Sequence, residues 1–202
     1  MLIVGAGGFA RELFDVVLEK YSKDEIAFYD DVNAITCLFG CSVLRNEDEV
    51  QKWFKEKGSQ FSLGIGNPIL REKLALKFTR FGGALTSVVS EKCVIGKEAV
   101  TIGVGATILH HATLANGVEI GKGVLIYHNV QITHDCKVGD FCELSPGAVL
   151  LGQVEFGDKV SCGANATVLP KLKIADDVVI GAGSVVTKSV FEKKVLKGNP
   201  AK

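Results

Sequence analysis

The sequence predicts two domains of different fold: an α/β Rossmann-like domain over residues 1–84 and a parallel β-helix over residues 85–202. Three observations lead to this prediction. Strand-like and helix-like segments alternate in the first half, whereas apolar residues recur every six positions in the second. Eleven of the fifteen aromatic residues lie before residue 85. The second domain therefore has an interior too narrow for large rings.

Composition sets the broad class of protein. Apolar residues make up 47% of the 202, which is enough for a buried core in each domain. Lysine plus arginine and aspartate plus glutamate balance at 23 each, so electrostatics gives no reason to expect nucleic acid or an anionic membrane as a partner. The chain contains no apolar run of membrane-spanning length and no signal-peptide pattern. We expect a cytoplasmic protein with reduced cysteines.

The first domain is predicted element by element from its periodicity. Buried strands are expected at residues 2–5, 26–31 and 61–66, and helices at 9–21, 47–58 and 67–78. The last helix begins at an asparagine cap, Asn67, and the middle one ends at Gly58. Strands that alternate with helices imply a parallel sheet.

A glycine-rich turn joins the first strand to the first helix. Gly5, Gly7 and Ala10 match G-x-G-x-x-[GA], in which the missing side chains let a phosphate approach the helix N-terminus. Asp30 and Asp31 end the second strand, where a carboxylate can accept a hydrogen bond from a ribose or a base. About 84 residues supply only one mononucleotide half of the doubly wound fold, so the pattern favours a nucleotide over NAD. The alternative is a tight turn followed by an unrelated Asp pair.

The second domain carries a strict six-residue repeat of inward-facing residues. Two ladders recur, one of larger aliphatic side chains and one of smaller residues two positions earlier. The first comprises Ile102, Ile108, Leu114, Ile120, Ile126, Ile132, Val138, Leu144, Leu150, Phe156, Cys162, Val168, Ile174, Ile180 and Val186, and the second runs from Val100 and Ala106 to Ala166. Glycines at a period of eighteen indicate three hexads per coil, hence five to six triangular coils. Ile95 is one residue out of phase, which predicts an extra residue before Thr101.

Particular motifs resemble a known family. "VIGKEAVTIG", "GANATVLPKLKIADDVVIGAGSVVTK" and "GNPAK" are similar to hexapeptide acyltransferases, which form left-handed β-helices. With "GAGGFARE", "FYDD" and "GIGN" in front, the whole chain resembles the sialic acid O-acetyltransferase and UDP-4-amino-sugar N-acetyltransferase family, the NeuD/PglD-like proteins. The resemblance implies a homotrimer that binds acetyl-CoA between adjacent β-helices and a nucleotide-sugar in the N-terminal domain. It implies acetyl transfer to a nucleotide-linked amino sugar for surface glycan biosynthesis, or else sugar O-acetylation of the sialic acid type.

The resemblance also implies site residues. His134 aligns with the catalytic base and Asp135 with its acidic neighbour. The nucleotide-sugar site would comprise Gly7, Gly8, Phe9, Asp30, Asp31 and Gly66. The acetyl-CoA site would comprise Glu143, Gly152, Ala164 and Ala182. Phe9 and Glu143 depart from the family pattern, because histidine stands at each of these places in some relatives.

The residues themselves support this chemistry. His110, His128 and His134 each lie two positions after an inward aliphatic residue, so all three should face outward. Free imidazole, with a pKa of about 6.5, is a suitable base for the proton that an attacking amine releases. A backbone N–H at Gly152 could stabilise the developing oxyanion. Direct transfer needs no acyl-enzyme, so no cysteine has a required role.

Two other functions remain open from sequence. Three histidines on a β-helix could bind zinc, as in γ-class carbonic anhydrases, but His128 and His134 are six residues apart where those enzymes have a pair five apart. Cys37 and Cys41 could form half a metal site, with no second pair nearby. No metal is expected. A non-catalytic nucleotide-binding scaffold would keep the repeat and the glycine turn but would have no use for His134 beside Asp135.

Overall fold

The computed structural model describes all residues, 1–202, and divides them into two compact units, Met1–Val88 and Val89–Lys202. The sequence placed the boundary at residues 84 and 85. None of the helices is both long and apolar enough to cross a membrane.

The N-terminal unit is a six-stranded sheet with three α-helices. Its elements are β1 (Leu2–Val4), α1 (Gly8–Val17), a 3₁₀ turn (Lys23–Glu25), β2 (Ala27–Tyr29), β3 (Cys37–Leu38), β4 (Cys41–Leu44), α2 (Glu47–Lys57), β5 (Gln60–Leu63), α3 (Pro68–Arg80) and β6 (Ala84–Leu85). The strand order is β3-β4-β2-β1-β5-β6, and all neighbours are parallel except the β3–β4 pair. The parallel sheet with strands that alternate with helices is the predicted α/β arrangement.

Helix boundaries follow their capping residues. The side chains of Asn46 and Asn67 accept the N–H of the residue three positions on, at 3.0 Å each, and so begin α2 and α3. Gly58, with φ +101°, ends α2. The first helix is shorter than the predicted 9–21, because after Val17 the chain turns and Tyr21 lies beyond the helix. Strands β3, β4 and β6 were missed from sequence; β3 and β4 pair antiparallel with no helix between them, which departs from the strand–helix alternation on which the prediction rested.

The C-terminal unit is a left-handed parallel β-helix, as the resemblance implied. Its three faces are parallel sheets of seven, six and five two-residue strands. The first face contains β7 (Val88–Val89), β10 (Thr107–Ile108), β13 (Leu125–Ile126), β16 (Glu143–Leu144), β19 (Ser161–Cys162), β22 (Val179–Ile180) and β24 (Val195–Leu196). The second contains β8 (Val94–Ile95), β11 (Thr113–Leu114), β14 (Gln131–Ile132), β17 (Val149–Leu150), β20 (Thr167–Val168) and β23 (Val185–Val186). The third contains β9 (Thr101–Ile102), β12 (Glu119–Ile120), β15 (Lys137–Val138), β18 (Glu155–Phe156) and β21 (Lys173–Ile174).

The hexad ladders form the core of this unit. From β9 to β23 paired strands are eighteen residues apart, as with Leu114 opposite Ile132, so each coil there stacks equivalent side chains on those of the next. From Ile108 onward every member of the larger ladder is buried, and from Ala106 onward so is every member of the smaller one. Val100 and Ile102 are only half-buried, because β9 is the edge strand of its face. Strands β8 and β9 start seven residues apart, which confirms the predicted extra residue.

Three rows of corner residues lie two positions after the strands. The first corner comprises His110, His128, Pro146, Ala164 and Ala182; the second comprises Asn116, His134, Gly152 and Pro170; the third comprises Lys122, Asp140, Asp158 and Asp176. At the third corner each aspartate accepts the backbone N–H of the corner residue one coil earlier, at 2.7–2.8 Å. The Asp side chains therefore join the backbones of successive coils at that corner.

Cysteines behave as small core residues in this unit. Cys136, Cys142 and Cys162 are buried and free. Burial raises the pKa of the Cys142 and Cys162 thiols to about 12. Neither thiol is a nucleophile at neutral pH.

Candidate active site

His134 lies at the second corner, two positions after the end of β14. Its side chain is 65% exposed, and its Nδ1 lies 2.9 Å from Oδ2 of Asp135. Asp135 has φ +59°, a left-handed conformation that asparagine and aspartate tolerate well, and this turn brings the carboxylate back beside the ring. A carboxylate can only accept, so Nδ1 carries the proton in this contact, and in the neutral imidazole Nε2 has the lone pair.

Gly152 lies one coil further along the same corner and contacts the ring of His134. A Cβ placed on Gly152 would lie 2.5 Å from Nε2 and 2.6 Å from Cε1 of His134. The backbone N–H of Gln153 donates to the His134 carbonyl at 3.0 Å, which ties the two coils together. The absent side chain therefore provides the space that the imidazole occupies.

The N–H of Gly152 donates to no atom of the chain. At the third corner an aspartate from the following coil accepts the corresponding N–H, but at the second corner the following coil presents Pro170, which has no side-chain acceptor. The exposed His134 ring and the N–H of the buried Gly152, which has no acceptor in the chain, thus lie at one corner. This pairing suits a reaction in which one group loses a proton while an oxygen gains negative charge.

The remaining residues predicted for acetyl-CoA lie elsewhere on the prism. Ala164 and Ala182 are at the first corner, and Glu143 is half-buried on the first face, where it accepts from the Ser145 hydroxyl at 3.3 Å. Neighbouring corners are six residues apart along the chain, so the chain can place them at most about 20 Å apart. Within one chain the structure brings together His134, Asp135 and Gly152, but not the other three.

The other histidines form a separate cluster at the first corner. The His110 and His128 rings are tilted by 40° to each other with centroids 5.5 Å apart, and Nδ1 of His110 lies 2.6 Å from Oγ of the buried Ser90. His134 is at a different corner, so the three histidines do not converge. No group of three His, Cys, Asp or Glu side chains is arranged to hold a metal ion.

A pocket of about 320 Å³ lies at the carboxyl ends of β1 and β2 in the N-terminal unit. Of the predicted nucleotide-sugar residues, Gly7, Asp30 and Asp31 line it; Gly8, Phe9 and Gly66 do not. The other lining residues are Val4, Gly5, Ala6, Tyr29, Val32, Asn33, Ile65, Leu70 and Leu74. The apolar wall from Ile65 and α3 was missed from sequence, because nothing local indicates which side of α3 faces this pocket.

The glycines of the turn differ in whether the fold itself requires a residue without a side chain. Gly5 has φ +116°, and a Cβ there would lie 2.8 Å from the carbonyl oxygen of Gly64, so the fold itself requires glycine. A Cβ on Gly7 or Gly8 would meet no atom within 4 Å. Nothing in the chain requires glycine at these two positions, and the open space beside Gly7 is available to a ligand.

The two aspartates are held differently. Asp30 is almost fully buried, and its oxygens accept from the backbone N–H groups of Val32 and Asn33 at 2.9 Å and from the Asn33 amide at 2.8 Å. Burial alone would raise its pKa, but these hydrogen bonds and the charge of Arg45 outweigh burial and hold the pKa below its usual value. Asp30 therefore shapes the loop, whereas the half-exposed Asp31 is the carboxylate that a ligand can reach.

Family models match both parts of the chain. The model for the PglD N-terminal domain matches residues 1–78, and the model for the bacterial transferase hexapeptide (six repeats) matches residues 117–152. A search of curated proteins gave no match.

Solved structures match over the full length. WeeI from Acinetobacter baumannii AYE is 30% identical, with a TM-score of 0.89, over 100% of this chain and 97% of that one. PerB from Caulobacter crescentus, solved in complex with CoA and GDP-perosamine, is 26% identical, with a TM-score of 0.89, over 100% and 95%. The acetyltransferase domain of PglB from Neisseria gonorrhoeae FA1090, solved with acetyl coenzyme A, is 24% identical, with a TM-score of 0.91, over 100% and 97%, and supports the fold alone.

Proposed function

The chain belongs to the NeuD/PglD-like family of hexapeptide-repeat sugar acetyltransferases and is an acyltransferase, and from this premise we propose that it transfers the acetyl group of acetyl-CoA to a nucleotide-linked amino sugar. PerB, matched over the whole chain, is described with CoA and GDP-perosamine bound, which supports both ligand classes. The pocket beside Gly7 and Asp31 is where the nucleotide would bind. By resemblance, the product would enter surface glycan biosynthesis.

The observation that carries the proposal is the arrangement of His134, Asp135 and Gly152. The sugar amine attacks the thioester carbonyl, and Nε2 of His134 accepts the proton that the nitrogen loses. Oδ2 of Asp135, 2.9 Å from Nδ1, accepts the hydrogen bond of the Nδ1–H and stabilises the imidazolium that forms. The Gly152 N–H donates to the carbonyl oxygen as it becomes negative. Collapse of this intermediate forms the amide and expels the CoA thiolate, which takes up a proton, and His134 returns to its neutral form.

The separation of the predicted acetyl-CoA residues favours a site shared by two chains. His134 and Gly152 occupy the second corner, whereas Ala164 and Ala182 occupy the first. In a homotrimer the first corner of one β-helix could face the second corner of its neighbour, with acetyl-CoA between them. Sedimentation at micromolar concentration should therefore show a trimer, and a monomer that retains full activity would contradict the shared site.

A screen of nucleotide-sugars tests the function. The protein is incubated with acetyl-CoA and UDP-, GDP- or CMP-linked amino sugars, and the released CoA thiol is measured. Cys37 is an exposed free thiol, so a reaction without acceptor sets the background. The N-acetylated form of each sugar is the matched control, since it lacks the attacking amine. Thiol release with the amine and none with its acetylated form is expected; no release with any amine would refute N-acetylation.

Binding of acetyl-CoA can be measured separately from turnover. A ligand at a hundred times its dissociation constant adds about 2.7 kcal/mol to the unfolding free energy. A thermal shift with acetyl-CoA but no thiol release would keep acetyl-CoA as the co-substrate and reject the amino-sugar acceptors. No shift would contradict the proposed co-substrate.

A further inference from the structure

A network of three side chains lies at one end of the nucleotide pocket. The Tyr29 hydroxyl donates to Oδ2 of Asp31 at 2.9 Å, and the Lys77 ammonium donates to the Tyr29 oxygen at 3.1 Å and lies 3.4 Å from the same Asp31 oxygen. These groups come from the end of β2 and from α3, 46 to 48 residues apart in sequence. The network therefore forms only when α3 packs against the sheet.

Lys77 is itself held in place by aromatic rings. Its ammonium lies 5.1 Å from the centroid of the Tyr29 ring, 5.9 Å from that of Phe78 and 5.7 Å from that of Phe81. Cation–π contacts of this kind restrict a side chain that would otherwise sample many rotamers. The cation is thus oriented before any ligand binds.

One carboxylate oxygen of the network is left for a ligand. Asp30 uses both of its oxygens within the loop, and Oδ2 of Asp31 accepts from Tyr29 and Lys77. Apart from the N–H of its own backbone, Asp31 accepts only from Tyr29 and Lys77, both of which use Oδ2, so Oδ1 is accessible to a ligand in the pocket that Asp31 lines. An ionised carboxylate only accepts, so its ligand partner must be an O–H or N–H donor.

We propose that Lys77 is a positioning residue for substrate binding: through Tyr29 it fixes Asp31 so that Oδ1 accepts a hydrogen bond from a ribose hydroxyl or a base N–H of the nucleotide. This inference rests on the proposed function, because it requires a nucleotide in this pocket. It goes further by assigning to Lys77, on α3, the role of orienting the Asp31 carboxylate that accepts the hydrogen bond.

The charge state of Asp31 provides a readout that a purely structural role would leave unchanged. Burial alone would raise the pKa of Asp31, but the hydrogen bond from Tyr29 and the charge of Lys77 outweigh burial and hold the pKa below its usual value. Tyr29 and Lys77 are the titratable groups that act on Asp31. Ligand binding through an ionised Asp31 is present above its pKa and is lost as the pH falls through it. Without the Lys77 charge this loss should occur at higher pH.

The experiment measures binding of UDP and GDP, and of their 2′-deoxy forms, by calorimetry as a function of pH. Lys77→Met keeps the aliphatic stem but removes the charge, and it should weaken binding about tenfold and move the acid loss of binding to higher pH. Lys77→Arg should restore binding to within about threefold of wild type. Lys73→Met, one turn earlier on α3, is the matched control and should bind as wild type does. The unfolding temperature of each variant verifies its fold.

The outcomes separate this proposal from the proposed function. Wild-type affinity and unchanged pH dependence in Lys77→Met would overturn the role of Lys77 and leave the function standing. A wild-type protein that binds neither nucleotide would refute the nucleotide site and this proposal with it. Loss of affinity for the 2′-deoxy forms would place the donor on the ribose. Full affinity for them, together with weak binding by Asp31→Asn, would place it on the 3′-hydroxyl or on the base.

Discussion

Replacing Gly152 with alanine should displace the base without unfolding the protein. The new Cβ would lie 2.5 Å from Nε2 of His134, whereas atoms in contact are normally about 3.5 Å apart, so the imidazole must move by about 1 Å. The ring is 65% exposed and can swing outward, so we expect little change in unfolding temperature. The movement would strain the 2.9 Å contact with Asp135 and shift Nε2 from the position that the proposed proton transfer requires.

A misplacement of about 1 Å in a catalytic group can cost about 10²-fold in rate, which is about 2.7 kcal/mol in barrier height. We therefore expect turnover of Gly152→Ala to fall by about 10²-fold at saturating acetyl-CoA. The substitution keeps the backbone N–H, so oxyanion stabilisation should not be lost with it. The assay is CoA release under steady-state conditions, with acetyl-CoA affinity measured separately by calorimetry.

A double-mutant cycle with His134→Ala tests the reasoning. If Gly152→Ala acts only through the imidazole, adding it to His134→Ala should cost nothing more, because the group that it displaces is gone. Additive losses, or a large fall in acetyl-CoA affinity, would show that the methyl group collides with the co-substrate instead and would refute the steric explanation.

Three further variants follow from the same geometry. His134→Ala should lower turnover by about 10²- to 10⁴-fold while leaving stability and acetyl-CoA affinity intact; near-wild-type turnover would refute the mechanism, and His111→Asn, at the exposed position that follows the corner residue His110, is the control. Asp135→Asn keeps the shape and the tolerated φ of +59° but loses the charge that favours imidazolium, so turnover should fall by about 10- to 100-fold, less than for His134→Ala. Asp30→Ala should destabilise the N-terminal unit by about 1–3 kcal/mol in chemical denaturation, because two backbone N–H groups and one side-chain amide lose their acceptor. The folded-state pKa of Asp30 is lowered, so its stabilising effect is present at neutral pH and is lost as the pH falls through that pKa; the difference between wild type and variant should therefore shrink in acid.

The sequence by itself determined the architecture of the β-helix, because its signal is repeated. Each hexad has the same two inward-facing positions. The sequence therefore shows which residues stack on one another in successive coils, as with Ile126 and Leu144. The period of eighteen also places Gly152 one coil from His134. The helices of the N-terminal unit followed from periodicity and from asparagine caps, which are local signals. The hand of the β-helix came from resemblance, since a six-residue period is the same for either hand.

Tertiary structure alone decided what depends on single contacts between distant segments. The network of Lys77 with Tyr29 and Asp31 joins residues 46 to 48 positions apart, and no periodicity marks it. Nor does the sequence show that both carboxylate oxygens of Asp30 accept hydrogen bonds within its own loop, whereas Tyr29 and Lys77 use only one oxygen of the adjacent Asp31. Two identical side chains next to each other carry the same local information. Their roles differ because side-chain packing and hydrogen-bond geometry, set by the folded backbone, bury one and expose the other.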